Sequence, residues 1–301
     1  MPTNDTRQFL DPTILASVAS IELKARLVVE GFVAGLHRSP FHGFSVEFAE
    51  HRQYMPGDPI KHIDWKVYGK SDRFYIKEYE EETNIRAYLL VDASASMAYG
   101  TAGVSKLQYA TYVAASLAYL MNQQQDAVGL LTFDSETRTY IPPRATTVHL
   151  REIFKRLEAL EAGERATTAI GPPLHELAEK VSRRGLVVIL SDLFDDPQTI
   201  LSGLKHFRHR GHEVLVVHVL DGQEIDFAFD RETQFEDLET GEKVTLQPWQ
   251  IREEYRRNIA DMQTFFRTEC HNQRIDYVPI DTRTSFDQTL REYLHKRAQL
   301  Y

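Results

Sequence analysis

Cysteine is almost absent from this chain. Cys270 is the single one in 301 residues, so no disulfide can close within it. That suits a reducing compartment. Long apolar runs are missing too. The longest, at 186–190 and 214–220, have the length of buried strands and not of membrane spans. The opening MPTNDTRQFLDP has no basic segment leading into an apolar core, so no secretory leader is expected. Basic side chains are in deficit, 35 Lys and Arg against 44 Asp and Glu, giving a net charge of −9. Nucleic-acid binding relies on a basic surface, and this balance speaks against it. No Gly/Ser-rich or Pro-rich linker, repeat or low-complexity run separates loosely tethered modules. There is no P-loop, no Gly-rich phosphate cradle and no evident nucleophile–base pair. A cytoplasmic protein that does not itself insert into a membrane is expected.

What is present is ordinary for a globular chain: 42% hydrophobic and 26% charged residues. Residues 1–84 read as one segment of two flavours. From Asp11 to Leu36 the apolar spacing is helical, with Asp11–Pro12 as a start signal. From 37 to 82, Gly and Pro punctuate short aromatic stretches, and FSVEF (44–48) and RFYIKEY (73–79) alternate like strands. Glu78, Glu80, Glu81 and Glu82 read as a solvated edge.

Residues 85–301 alternate strands and helices. Strands are expected at 85–92, 127–133, 186–192 and 213–220 and at RIDYVPI (274–280), with an edge strand at TRTYIP (137–142). Helices are expected at 106–121, 148–160, 174–181, 197–208, 250–271 and 285–298, and a β-hairpin insertion at about 225–247 turning at Thr240–Gly241. This is an α/β pattern, which implies a mostly parallel sheet with helices on both faces. The 1–84 segment is expected to pack on it.

In such a sheet, ligands bind at the carboxyl ends of the strands. Two strands end at acids. Asp92 opens DASAS, which sets Ser94 and Ser96 at +2 and +4 in one tight loop. Asp192 closes VVILSD. Hard oxygen ligands of mixed charge suit Mg²⁺ or Mn²⁺. ATTAIGPPL offers a further hydroxyl, Thr168 ahead of Thr167 because it stands three residues before Gly171. Asp192 would act directly or through water. The plainer reading is a strand-to-helix turn in which Asp and Ser serve only as caps.

DASASM resembles the metal-ion-dependent adhesion site (MIDAS) signature Asp-x-Ser-x-Ser of von Willebrand factor A (VWA) domains. TAIGPPL resembles that family's Thr-x-x-Gly loop, and Ser191–Asp192 its Thr-Asp-Gly strand end, with Leu193 in place of Gly. The resemblance implies a VWA-like fold in 85–301, with Asp92, Ser94, Ser96, Thr168 and Asp192 as ligands of Mg²⁺ or Mn²⁺. Upstream, HRQYMPGDPIKHIDWKVYGKSDRFYIKEYEEE is similar to the bacterial family known as domain of unknown function fifty-eight. The matching positions are Arg52, Tyr54, Gly57, Asp58, Lys61, Ile63, Asp64, Trp65, Arg73 and Glu78. That likeness implies association with a MoxR-type AAA+ ATPase. For Asp58, Asp64, Trp65 and Arg73 a structural role is the plainer reading.

The expected function is thus a metal-dependent protein-binding adaptor, not an enzyme. An acidic side chain of a partner protein would complete the metal shell. The alternative is a metal-dependent phosphohydrolase, because acids at strand ends with Mg²⁺ are also the layout of phosphoryl transfer. His206 and His209 are assigned to the surface, Phe265 and Phe266 to the core, and no catalytic role is given to Cys270.

Overall fold

The computed structural model describes residues 11–36, 51–53, 69, 75–77, 85–101, 103–163, 170–238 and 240–299. The chain falls into two compact units. One joins Met1–Gly35 to Ile85–Tyr301, and the other is Leu36–Asn84. Of the smaller unit, strands β1 (His51–Gln53) and β2 (Tyr75–Lys77) are described, paired antiparallel with Arg52 opposite Ile76. The expected strand at 44–48 and the acidic run from Glu78 lie outside the described residues.

In the larger unit the N-terminal helical stretch is two helices, Pro12–Ala16 and Ile21–Leu36. Asp11 caps the first by accepting from the Thr13 N–H at 2.8 Å. Leu15, Ile21, Ala25, Val28, Val29 and Phe32 are buried. Lys24 reaches inward to the Tyr112 hydroxyl at 2.8 Å, so this stretch belongs with the α/β body.

Six strands form the sheet: β3 (Arg86–Asp92), β4 (Ala127–Phe133), β5 (Thr137–Arg144), β6 (Leu186–Ser191), β7 (Glu213–Leu220) and β10 (Asp276–Asp281). Their spatial order is β10-β7-β6-β3-β4-β5. All neighbours are parallel except the edge pair β4–β5, which is antiparallel with register shifts. The fold is thus α/β with a mostly parallel sheet, as the alternating pattern predicts.

Both faces are covered, which explains why β6 reads LVVILS with every residue buried. On one face Tyr88, Leu90, Leu131, Phe133, Val187 and Ile189 meet Leu174, Leu204, Phe207 and Phe266, from helices Gly171–Lys180, Pro197–His209 and Pro248–Asn272. On the other, helix Lys106–Gln123 packs against β3, β4, β6 and β7. Cys270 is buried among the first set, and burial pushes its thiol up to about 12. Between β7 and the long helix lie the short helix Gly222–Asp226, which was not expected, and a hairpin of β8 (Thr233–Glu236) and β9 (Lys243–Leu246), which falls within the expected 225–247 insertion.

Helices Gly171–Lys180 and Pro197–His209 touch where side chains are smallest. A Cβ on Gly203 would lie 2.7 Å from Leu174 Cβ, and one on Gly171 would lie 2.1 Å from Thr199 Cγ2. Gly203→Ala should therefore destabilise the chain by about 1–3 kcal/mol, because overpacking outweighs the gain in helix propensity of about 1 kcal/mol. Urea unfolding checks this, and a more stable variant would show that the two helices separate freely.

Candidate metal centre at the switch point

β3 lies between β4 and β6, so the chain leaves it toward one side first and returns on the other. Such a reversal opens a crevice at the carboxyl ends of the central strands. The register brings Val91 opposite Leu190. Asp92 therefore ends β3 beside Ser191, and Asp192 follows β6 directly.

Both Asp92 and Asp192 are fully buried. Asp92 Oδ1 accepts from the Ser94 N–H at 2.8 Å, which fixes the turn out of β3. Asp92 Oδ2 accepts from the Ser191 hydroxyl at 2.6 Å. Ser94 and Ser96 hydroxyls lie 3.1 Å apart, on a single 3-10 turn over Ala95–Ala98. Asp192 Oδ1 accepts from the Phe194 N–H at 3.3 Å, and its carbonyl accepts from His218 Nε2 at 2.8 Å. Burial holds His218 neutral, pushing it down to about 4, and its Nδ1 accepts from the Tyr277 hydroxyl.

Asp192 Oδ2 is taken by an ammonium that sequence reading did not single out. Lys106, fully buried at the first position of its helix, donates to Asp192 Oδ2 at 2.8 Å and to Glu224 Oε1 at 2.6 Å. The rings of Phe194 and Tyr99 lie 4.6 Å and 5.9 Å from the same nitrogen. Burial lowers the Lys106 pKa, but Asp192 and Glu224 outweigh it and hold the ammonium charged. A signal for this residue was available. A lysine in the first turn opposes the helix dipole and calls for an anion close by.

The structure thus brings Asp92, Ser94, Ser96 and Asp192 to one rim. Thr168 lies outside the described residues, as do Thr167, Asp58, Asp64 and Trp65 and the side chains of Arg52 and Arg73. The exit of the Thr168 loop is described: the Ile170 N–H donates to Asp195 Oδ2 at 2.7 Å, next to the end of β6. His206 is not a free surface group; its Nδ1 lies 3.1 Å from His175 Nδ1 and its Nε2 2.9 Å from Glu179. Among the described residues no three His, Cys, Asp or Glu side chains converge as a metal cluster. The rim combines two carboxylates with two hydroxyls, a different donor set.

That set fits a hard divalent cation. Among the described residues Asp192 and Glu224 share the Lys106 ammonium, and the buried Asp92 is held by the Ser191 hydroxyl and the Ser94 N–H. Burial, and then the neighbouring Asp192 charge, push Asp92 up to about 7. Both Asp92 oxygens accept one hydrogen bond each, the Ser94 and Ser96 hydroxyls lie beside each other in the same loop, and Asp192 has one oxygen committed to Lys106.

Comparison with known proteins locates the chain. The family described as Protein of unknown function DUF58 matches residues 50–265. The chain belongs to that family. Uncharacterized proteins of Mycobacterium tuberculosis and Mycobacterium bovis are each 27% identical to it over 255 residues, 83% of this chain and 79% of theirs. Among solved structures, the conserved hypothetical protein BatB from Bacteroides thetaiotaomicron has a TM-score of 0.46 at 18% identity, covering 71% of this chain and 99% of that one. The SpRpn10 VWA domain has a TM-score of 0.38 at 12% identity, over 70% of this chain and 95% of its own. This DUF58 member has a VWA-like α/β fold, seen in its sheet order and in the Asp-x-Ser-x-Ser loop at the end of β3. Among its described residues no helix is long and apolar enough to cross a membrane.

The departure at Leu193 has a physical account. Its φ is 54°, in the left-handed region where glycine is at ease, and its side chain is fully buried in the core under β6. Leucine keeps the turn because burial offsets the strain of about 1–2 kcal/mol. Leu193→Ala should cost about 2–5 kcal/mol, and Leu193→Gly about 1 kcal/mol less than that. Urea unfolding of the pair checks the order, and an alanine variant more stable than the glycine one would mean that the turn does not depend on its left-handed residue.

Asp92 also predicts a pH dependence. Its folded-state pKa lies above the unfolded value, so the folded chain holds a proton that the unfolded chain releases. Without metal, stability from this group is present in acid and is lost as pH rises from about 4 through about 7. In EDTA, wild type should lose a few kcal/mol relative to Asp92→Asn as pH rises from about 4 to about 7. Parallel pH profiles for the two proteins would mean that Asp92 is not desolvated.

Proposed function

We propose that this protein is a metal-dependent protein-binding adaptor with no catalytic step of its own. Asp92, Ser94 and Ser96 would hold Mg²⁺ or Mn²⁺, with Thr168 and Asp192 completing the set, Asp192 through water while Lys106 holds its outer oxygen. When bound, the cation would supply a positive centre with a position open to an acidic side chain of a partner. The observation that carries this reading is the Asp92 carboxylate, fully buried beside Asp192 with the Ser94 and Ser96 hydroxyls in the same loop.

The chain's own residues account for the selectivity. A partner carboxylate approaching the metal-free rim meets Asp192 and Glu224, two carboxylates sharing one ammonium, so that rim repels the group that a loaded rim would accept. Ser191 and the Ser94 N–H hold Asp92 in one orientation, so no reorganisation is needed on loading. The partner we assign is a MoxR-type AAA+ ATPase, on the family likeness of the segment upstream of Ile85, and the place of action is the cytoplasm.

The test joins stability to capture. Mg²⁺ should raise the melting temperature of wild type by several degrees and leave Asp92→Ala unmoved, since a ligand of the folded state alone stabilises by mass action. Pull-down from the native cell should recover an AAA+ ATPase with wild type in Mg²⁺, and not with EDTA or with Asp92→Ala. Recovery that ignores both changes would place the docking surface elsewhere.

A further inference from the structure

Lys106 does more than neutralise a carboxylate. It stands between the rim acid Asp192 and Glu224, the third residue of the short helix Gly222–Asp226. Glu224 spends its other oxygen on its own helix start, Oε2 accepting from the Asp221 N–H at 2.8 Å. Asp221 is fully buried and gathers donors from three segments: Thr101 Oγ1 at 2.6 Å, the Gln223 N–H at 2.8 Å and Thr282 Oγ1 at 3.2 Å. Directly after this helix, Phe227 turns the chain with a φ of 48° into the segment that carries the β8–β9 hairpin. Arg252 of the long helix holds that segment by donating to the Phe227 and Phe229 carbonyls, at 3.1 and 2.7 Å.

We infer that Lys106 is a positioning residue that divides one positive charge between Asp192 and Glu224, so that cation binding at the rim and the docking of residues 221–226 are thermodynamically linked. The inference rests on the cation reading of the rim. Its physical basis is competition. A divalent cation at Asp92, Ser94 and Ser96 attracts Asp192, which weakens that acid's hold on the ammonium. Glu224 then keeps more of the charge, and the helix start it caps tightens. Linkage is reciprocal, so whatever changes Glu224 changes cation affinity by the same free energy. Neutralising Glu224 leaves Lys106 wholly to Asp192 and weakens the cation. Removing Lys106 frees Asp192 and strengthens it.

Calorimetric titration with MgCl₂ and hydrogen exchange of residues 221–226, on the full chain, test this without reference to any activity. Glu224→Gln keeps the shape and the cap and should weaken Mg²⁺ by about tenfold. Lys106→Met should tighten Mg²⁺ by a similar factor. If that buried substitution does not fold, Glu224→Gln carries the test alone. In wild type, Mg²⁺ should slow exchange across 221–226, and in Glu224→Gln it should leave exchange unchanged. Wild type that binds Mg²⁺, with Glu224→Gln equal in affinity and 221–226 indifferent to the metal, would overturn the linkage and leave the cation site standing. Wild type that takes up no Mg²⁺ would overturn the cation site and the linkage with it.

Discussion

Two carboxylates share a dry corner at the ends of β3 and β6. The sheet register puts them there, since β3 and β6 run parallel with Val91 opposite Leu190 and both strands end at acids. Each charge desolvated in this way costs several kcal/mol unless its surroundings answer it. The neighbours read as answers: the Ser191 hydroxyl and Ser94 amide on Asp92, the Phe194 amide and Lys106 ammonium on Asp192. They satisfy the hydrogen bonds of both carboxylates, and the low dielectric of the corner strengthens every charge–charge interaction within it.

Much of the fold was legible because its signals are local. Continuous apolar runs mark strands buried on two faces, and 186–191 and 213–220 follow that rule. Ser105 and Gln108 form a capping box that starts the helix after the DASAS loop, and Gly211 with φ 83° ends another. The short loop of Asp92, Ser94 and Ser96 was legible for the same reason: three residues within five positions need no tertiary information to be placed together.

What could not be read depends on distance in sequence. Lys106, Asp192 and Glu224 meet across separations of 86 and 118 residues. Hydropathy puts a lysine in water; its first-turn position calls for an anion, but only the packed structure identifies Asp192 and Glu224 as the partners. Leu193 is similar. Its identity suggests a core residue and hides the left-handed backbone that glycine would have announced. The partner of the amphipathic stretch 21–36 was not legible either, because its sequence carries no mark of which neighbour it will cover. Its burial against the Tyr112 helix is decided by Lys24 and the apolar face beside it.

The lone sulfhydryl at position 270 has a practical corollary. It sits at the far end of the long helix, sealed under Phe207 and Phe266 with its proton firmly held, so alkylating reagents find no thiolate while the chain is closed. Every labelling event must then begin with an excursion that lifts this helix from the sheet. With a single such atom in 301 residues, the labelling rate is a clock for that breathing motion, needing no engineered tag and no correction for competing sites.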